Sequence, residues 1–238
     1  MYFKNKLKKI LLFILFLFIS IANAQNIQTK LYKDSISNVD VTSLNKSFGQ
    51  NKSFDSIYKN QILTALSYFP ELKYTKIKFR LKNTNTPLSS RPTFWSLFKA
   101  SKKRSYIVTI STKTNKHLES ILFKNLNYNS QIGVLGHELS HISDYLKKDF
   151  FKMCNLLGIE FFSKCQVDKF ESRTDLICIN HGLGYQLLDW SMSIRENLKI
   201  VNWRGADNID SKSKKERYLN PQTILDQIKS NTLYTNKM

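Results

Sequence analysis

Ile132-Gly-Val-Leu-Gly-His137-Glu138-Leu-Ser-His141-Ile-Ser-Asp-Tyr145 is the stretch whose reading decides the fold. The chain has only four histidines, and two of them lie here, four residues apart, with a glutamate after the first. At the chain's own His and Glu frequencies this pattern arises by chance with a likelihood of roughly 0.2%. Residues four apart share one face of a helix, so His137 and His141 can offer imidazole nitrogens to a single tetrahedral ion. Glu138 then lies beside the ion. There its carboxylate can take a proton from a water that the metal has acidified to a pKa of about 7, and pass it to a leaving amine.

The flanks suit a buried helix. Asn129 or Ser130 can cap its start, and Ile132, Val134, Leu135, Leu139, Ile142 and Tyr145 give a nearly continuous apolar surface, as for a helix packed under a sheet. Gly133 and Gly136 cost helix propensity, which implies that something approaches the backbone closely there. The competing expectation is a core helix with two hydrogen-bonded histidines.

A catalytic zinc site takes three protein ligands and leaves a fourth position open, so a further His, Asp or Glu is needed. A metzincin would place Gly and His three and six residues after the second histidine. Asp144 and Lys147 stand there, which disfavours that class. Glu171 is the better candidate, in a helical segment from Asp168 to Ile179 where Asp175 follows it by one turn. Two carboxylates on one helical face allow one to bind zinc and the other to accept the second N–H of a zinc-bound histidine. Asp144, Asp149, Asp168 and His181 are the reserve ligands.

Over residues 132–176 the chain resembles the gluzincin (thermolysin-like) zinc metallopeptidases. The resemblance implies that Glu171 is the third ligand and that Asp175 orients His137. It further implies an α+β, zincin-like fold: a small mixed sheet packed on the His137–His141 helix and on a second, ligand-bearing helix. Ser143 departs from the family pattern, which has an apolar residue there, and the connection between the two helices is longer. His181 and Tyr185 are candidates to steady an oxyanion, although His181, next to Gly182, reads more readily as a helix cap or a surface histidine. Tyr145 is a weaker candidate of the same kind, and His117 reads as surface.

Residues 1–24 have the layout of a secretory signal. Lys4, Lys6, Lys8 and Lys9 precede an apolar run from Ile10 to Ile21, and Ala22-Asn-Ala24 offers a small-residue cleavage site. The expected product is exported, periplasmic or secreted. With the four leader lysines taken from 37 basic residues against 18 acidic ones, it carries +15. Such a charge favours acidic substrates or peripheral contact with an anionic envelope surface, although evenly scattered lysines can also be a compositional habit. No nucleic-acid-binding motif accompanies it. Cys154, Cys165 and Cys178 allow at most one disulfide; Cys154 with Cys165 would staple the inter-helix connection, and all three could equally be reduced.

The remainder reads as a polar arm over 25–50 and a single domain over 51–238. A helix is expected from Phe54 to Phe69, closed by Pro70. Strands are expected over Lys76–Leu81 and Tyr106–Ser111; the resemblance implies that the latter borders the cleft and pairs with extended substrate, and its own residues read equally as an ordinary core strand. Residues 83–103 read as a long loop. Phe94, Trp95, Leu97 and Phe98 precede Lys99, Lys102, Lys103 and Arg104, which suits a lid, a membrane-touching loop, or aromatics packed beneath a loop. Helices are expected from Gly184 to about Leu198 and from Asn220-Pro221 onward.

Together these readings lead to the expectation of a zinc peptidase acting on peptides or proteins, with Glu138 as general base. A non-catalytic zincin-fold scaffold at the envelope, or a zinc amidase acting on a non-protein amide, would use the same residues.

Overall fold

The computed structural model describes residues 28–31, 38–162, 164–206 and 213–235. The leader expected at residues 1–24 lies outside them. Among the described residues the chain is mixed α and β, with eight α-helices and one four-stranded sheet. In chain order these are α1 Asn38–Phe48, β1 Lys52–Ser53, α2 Lys59–Ser67, β2 Lys76–Lys82, β3 Leu88–Pro92 and β4 Ser105–Ser111. Then follow α3 Tyr128–Leu146, α4 Phe150–Phe162, α5 Lys164–Cys178, α6 Gly184–Leu198, α7 Pro221–Ser230 and α8 Thr232–Thr235. None of the described helices is long and apolar enough to cross a membrane.

The helix α3 organises the core. It packs against α2, α5, α6 and β3, and its residues from Asn129 to Tyr145 are all buried. Its N-cap is Asn127 and not Asn129 or Ser130: the Asn127 side chain accepts a hydrogen bond from Ser130 N–H at 2.8 Å. Asn129 is instead turned to the N-terminal segment, accepting from Leu31 N–H at 2.9 Å. At the other end buried Arg104 donates to the carbonyls of Tyr145 and Lys148, placing a cation where the helix dipole is negative. A Cβ on Gly133 would stand 2.1 Å from the Gln186 carbonyl oxygen, and one on Gly136 2.6 Å from Leu183 Cδ1. The two glycines therefore let α6 and the turn before it lie directly on α3.

The sheet order is β1-β2-β4-β3, with β1, β2 and β4 parallel and β3 antiparallel to β4. Two sequence expectations change here. The strand over Tyr106–Ser111 lies inside the sheet, paired on both sides, so it is not the cleft edge. That edge is β3, within the stretch read as a loop; with two serines and a proline among five residues it lacks strand propensity, and its pairing with apolar β4 overrides this. Ser111 N–H donates to Pro87 C=O and Thr93 N–H to Ser105 C=O, so the backbone groups of Leu88 and Ser90 point outward.

The long connection after α3 is also not a loop, since α4 occupies most of it. Within the stretch read as a polar arm, α1 forms a regular helix. All three cysteines are free thiols, Cys154 and Cys165 exposed and Cys178 buried beside Gly136.

Candidate metal centre

His137 and His141 project from α3 toward Glu171 on α5. The two Nε2 atoms are 3.1 Å apart, and Glu171 Oε2 lies 3.2 Å from the first and 3.3 Å from the second. Among the described residues these three form the one group of His, Cys or acidic side chains able to share an ion.

The outer hydrogen bonds fix what these atoms can do. His137 Nδ1 is 2.8 Å from Asp175 Oδ1, and a carboxylate only accepts, so the proton sits on Nδ1 and Nε2 carries a lone pair. Thr174 donates its hydroxyl to Phe170 C=O, which leaves its oxygen to accept from His141 Nδ1–H at 3.2 Å. His141 Nε2 is then also a lone pair. Buried Glu171 Oε2 has no hydrogen-bond partner.

Three acceptors face one point with no proton between them, which is unfavourable unless a cation is shared. Donors bonded to a tetrahedral zinc at 2.0–2.2 Å stand roughly 3.3–3.5 Å apart. The observed triangle is within a few tenths of an ångström of that, and two imidazoles with a carboxylate suit zinc. The residues fit the metal. Without one, the cluster draws in a proton: burial pushes the His137 imidazole down, but Asp175 and Glu171 outweigh it and hold its pKa well above the usual histidine value. Burial likewise pushes Glu171 up, and His141 and His137 bring it well below the ordinary carboxylate range.

Asp175 ties the centre to the C-terminal segment, since its Oδ2 accepts Leu219 N–H at 2.7 Å. An Asp175→Asn change leaves one of these two N–H groups facing an NH2. It is expected to weaken zinc binding by about 10–100-fold, measured by chelator competition.

Glu138 is buried and does not join the triangle. With His137 it lines a cavity of about 80 Å³ walled by Val134, Trp190, Trp203 and Tyr218. Tyr218, which sequence reasoning missed, packs its ring 5.5 Å from that of His137. Burial, then Glu171 and Glu138, push its phenol far up, so it stays a proton donor. Nothing near Tyr218 in the sequence marks it, because the chain returns there only through tertiary contacts.

The other candidates are engaged elsewhere. His181 donates from Nδ1 to Ile177 C=O, places Nε2 2.9 Å from Glu71 Oε1 and stacks on Phe69. Gly182 beside it takes φ 88° and breaks the helix, as expected of a stop signal. Tyr185 packs against Tyr234, and His117 is exposed. Tyr145 stacks 6.0 Å from His141 as part of the wall behind it. Asp144 pairs with Lys148 and Arg173, and Asp149 caps the start of α4 by accepting Lys152 N–H.

Asp168 is held by Arg204 and Arg217 at 2.8 Å each, which anchors the segment leading to Tyr218. Burial raises its pKa, and the two guanidiniums more than reverse this. A depressed folded pKa stabilises above the unfolded value of about 3.9, and that contribution is lost as pH falls further. Urea unfolding of Asp168→Asn should show lower stability at pH 7 and a shallower decline below about pH 4 than the parent.

Comparison with protein-family models, with curated proteins and with solved structures found no match to this chain. The chemistry of the centre rests on its own residues.

Proposed function

We propose that the chain is a zinc-dependent peptidase with a zincin-like, gluzincin-type arrangement. His137, His141 and Glu171 hold the ion, and Asp175 orients His137. The observation carrying this reading is the convergence of His137 Nε2, His141 Nε2 and Glu171 Oε2 on one point, with the Glu171 oxygen left without a hydrogen-bond partner. Bound zinc supplies Lewis acidity, polarising a carbonyl and acidifying water.

The protein's own groups do the rest. Glu138, beside the triangle, takes the proton of the attacking water and delivers it to the leaving nitrogen. The Tyr218 phenol donates to negative charge developing on the carbonyl oxygen, the role first sought in His181 and Tyr185. Trp190 and Trp203 wall the cavity and exclude water from it. An apolar side chain fits that cavity beside the bond to be cut. The outward N–H and C=O groups of Leu88 and Ser90 on β3 suit an extended peptide backbone, added as a further strand. Because β3 is fixed to α3 through Ser90 Oγ–H donating to Glu138 C=O at 3.0 Å, such a peptide lies beside the proposed base. Export through the leader accords with an extracytoplasmic peptidase.

The deciding experiment is zinc content by elemental analysis of the purified protein and of Glu171→Ala. About one zinc per chain is expected in the first, and a loss of tenfold or more in the second. A zinc-free parent would sink the metal reading, and full retention in the variant would remove Glu171 from the ligand set.

A further inference from the structure

Away from the metal centre, a turn and the start of α4 present Phe94, Trp95, Phe98 and Phe151 to solvent at 62, 78, 62 and 81% exposure. They form one continuous patch through Phe150. Ring centroids lie 5.1 Å apart for Phe94–Trp95, 6.2 Å for Phe94–Phe98, 5.5 Å for Phe98–Phe150 and 5.7 Å for Phe150–Phe151. Scattered exposed apolar residues need no explanation, but a contiguous group of large aromatics marks an interaction surface.

Exposed lysines surround the patch: Lys99, Lys102 and Lys103 on the same turn, and Lys147 at the end of α3. None of these four pairs with a carboxylate among the described residues, whereas nearby Lys152 is met by Asp149 at 3.7 Å. The base beneath them is fixed. Buried Arg104 donates from Nε to Lys99 C=O at 3.1 Å and from its terminal nitrogen to Lys148 C=O at 2.7 Å, which ties the turn to the end of α3.

We propose that this patch is a docking surface for an anionic phospholipid bilayer. The four aromatics enter the boundary between headgroups and acyl chains, and the lysines meet the lipid phosphates. Aromatic side chains favour that boundary, and each lysine near an anionic leaflet adds to the attraction. The unpaired lysines around the aromatics favour a bilayer over an apolar protein groove. Anionic lipid offers hydrocarbon and negative charge at two depths of one plane, and a groove that accepts only rings leaves the lysines without partners. The chain's formal charge of +19 acts in the same direction at longer range. Phe94 follows the end of β3 by two residues, so docking holds the strand edge at the bilayer surface. The inference is independent of the metal centre.

Trp95 makes the test direct. Of the three tryptophans, Trp190 and Trp203 are buried at 7 and 4% exposure, and residues 1–24 contain none. A change in emission on vesicle addition therefore reports Trp95, and an apolar leader cannot imitate it. The full chain is titrated with vesicles of phosphatidylglycerol and phosphatidylethanolamine in equal parts, and with vesicles of phosphatidylcholine. The expected result is a blue shift, and quenching by brominated acyl chains, with the anionic vesicles, at least tenfold stronger than with the neutral ones. The triple change Lys99→Ala, Lys102→Ala and Lys103→Ala should weaken binding on the order of 100-fold. Equal response to both vesicles overturns the proposal, as does co-sedimentation without a change at Trp95. Absence of vesicle binding overturns it too, and points to an apolar protein partner.

Discussion

A Glu138→Gln protein is expected to lose peptide hydrolysis by about 10³-fold in kcat/KM while still holding about one zinc per chain. Glutamine has almost the same shape as glutamate, so the cavity wall formed with Val134, Trp190 and Tyr218 keeps its packing. The hydrogen bond that ties β3 to this turn of α3 uses the Glu138 backbone carbonyl, which the substitution leaves in place. The metal triangle does not include residue 138. What disappears is a carboxylate able to take a proton from water and return it to nitrogen, a function an amide cannot perform. Peptide turnover and zinc content measured on the same sample separate this from a folding defect. Undiminished turnover would remove Glu138 from the mechanism, and zinc loss together with turnover would make its role structural.

The second large effect is expected at Gly133. An alanine there gains up to about 1 kcal/mol of helix propensity, yet its Cβ would lie 2.1 Å from the Gln186 carbonyl oxygen and 2.5 Å from the carbonyl carbon. These are backbone atoms of α6, so no rotamer change relieves the clash and the two helices must separate. Overpacking of this kind costs about 3 kcal/mol or more, and Gly133→Ala should show a clearly lower urea midpoint at unchanged slope. Zinc affinity should fall as well, because α6 carries Trp190 against His137 at 5.4 Å. An unchanged midpoint would mean that the helix pair is less rigid than its packing implies.

Legibility in the sequence followed the range of the interactions. The helix Gly184–Leu198, the strands around residues 76–82 and 105–111 and the stop at Gly182 were all readable, because periodicity and backbone permissiveness are local properties. The pair His137 and His141 was readable for the same reason, since one helical turn sets their spacing. Glu171 and Asp175 were candidates through their own helical spacing, but nothing local distinguishes them from an ordinary solvated helix face. Packing of α5 against α3 puts Glu171 beside both imidazoles. Strand β3 was missed because Leu-Ser-Ser-Arg-Pro has no strand pattern of its own and is held by β4.

By itself, then, the chain's sequence determined the central helix, its two imidazoles and carboxylate, and the glycines that let another helix approach. Only the tertiary structure decided which carboxylates meet those imidazoles, that His181 is spent on Ile177 and Glu71, and that Tyr218 joins the cavity. The physical reason is that helical spacing is a property of a few consecutive residues. The meeting of groups 30 to 110 positions apart depends instead on how whole faces bury their apolar surface against one another.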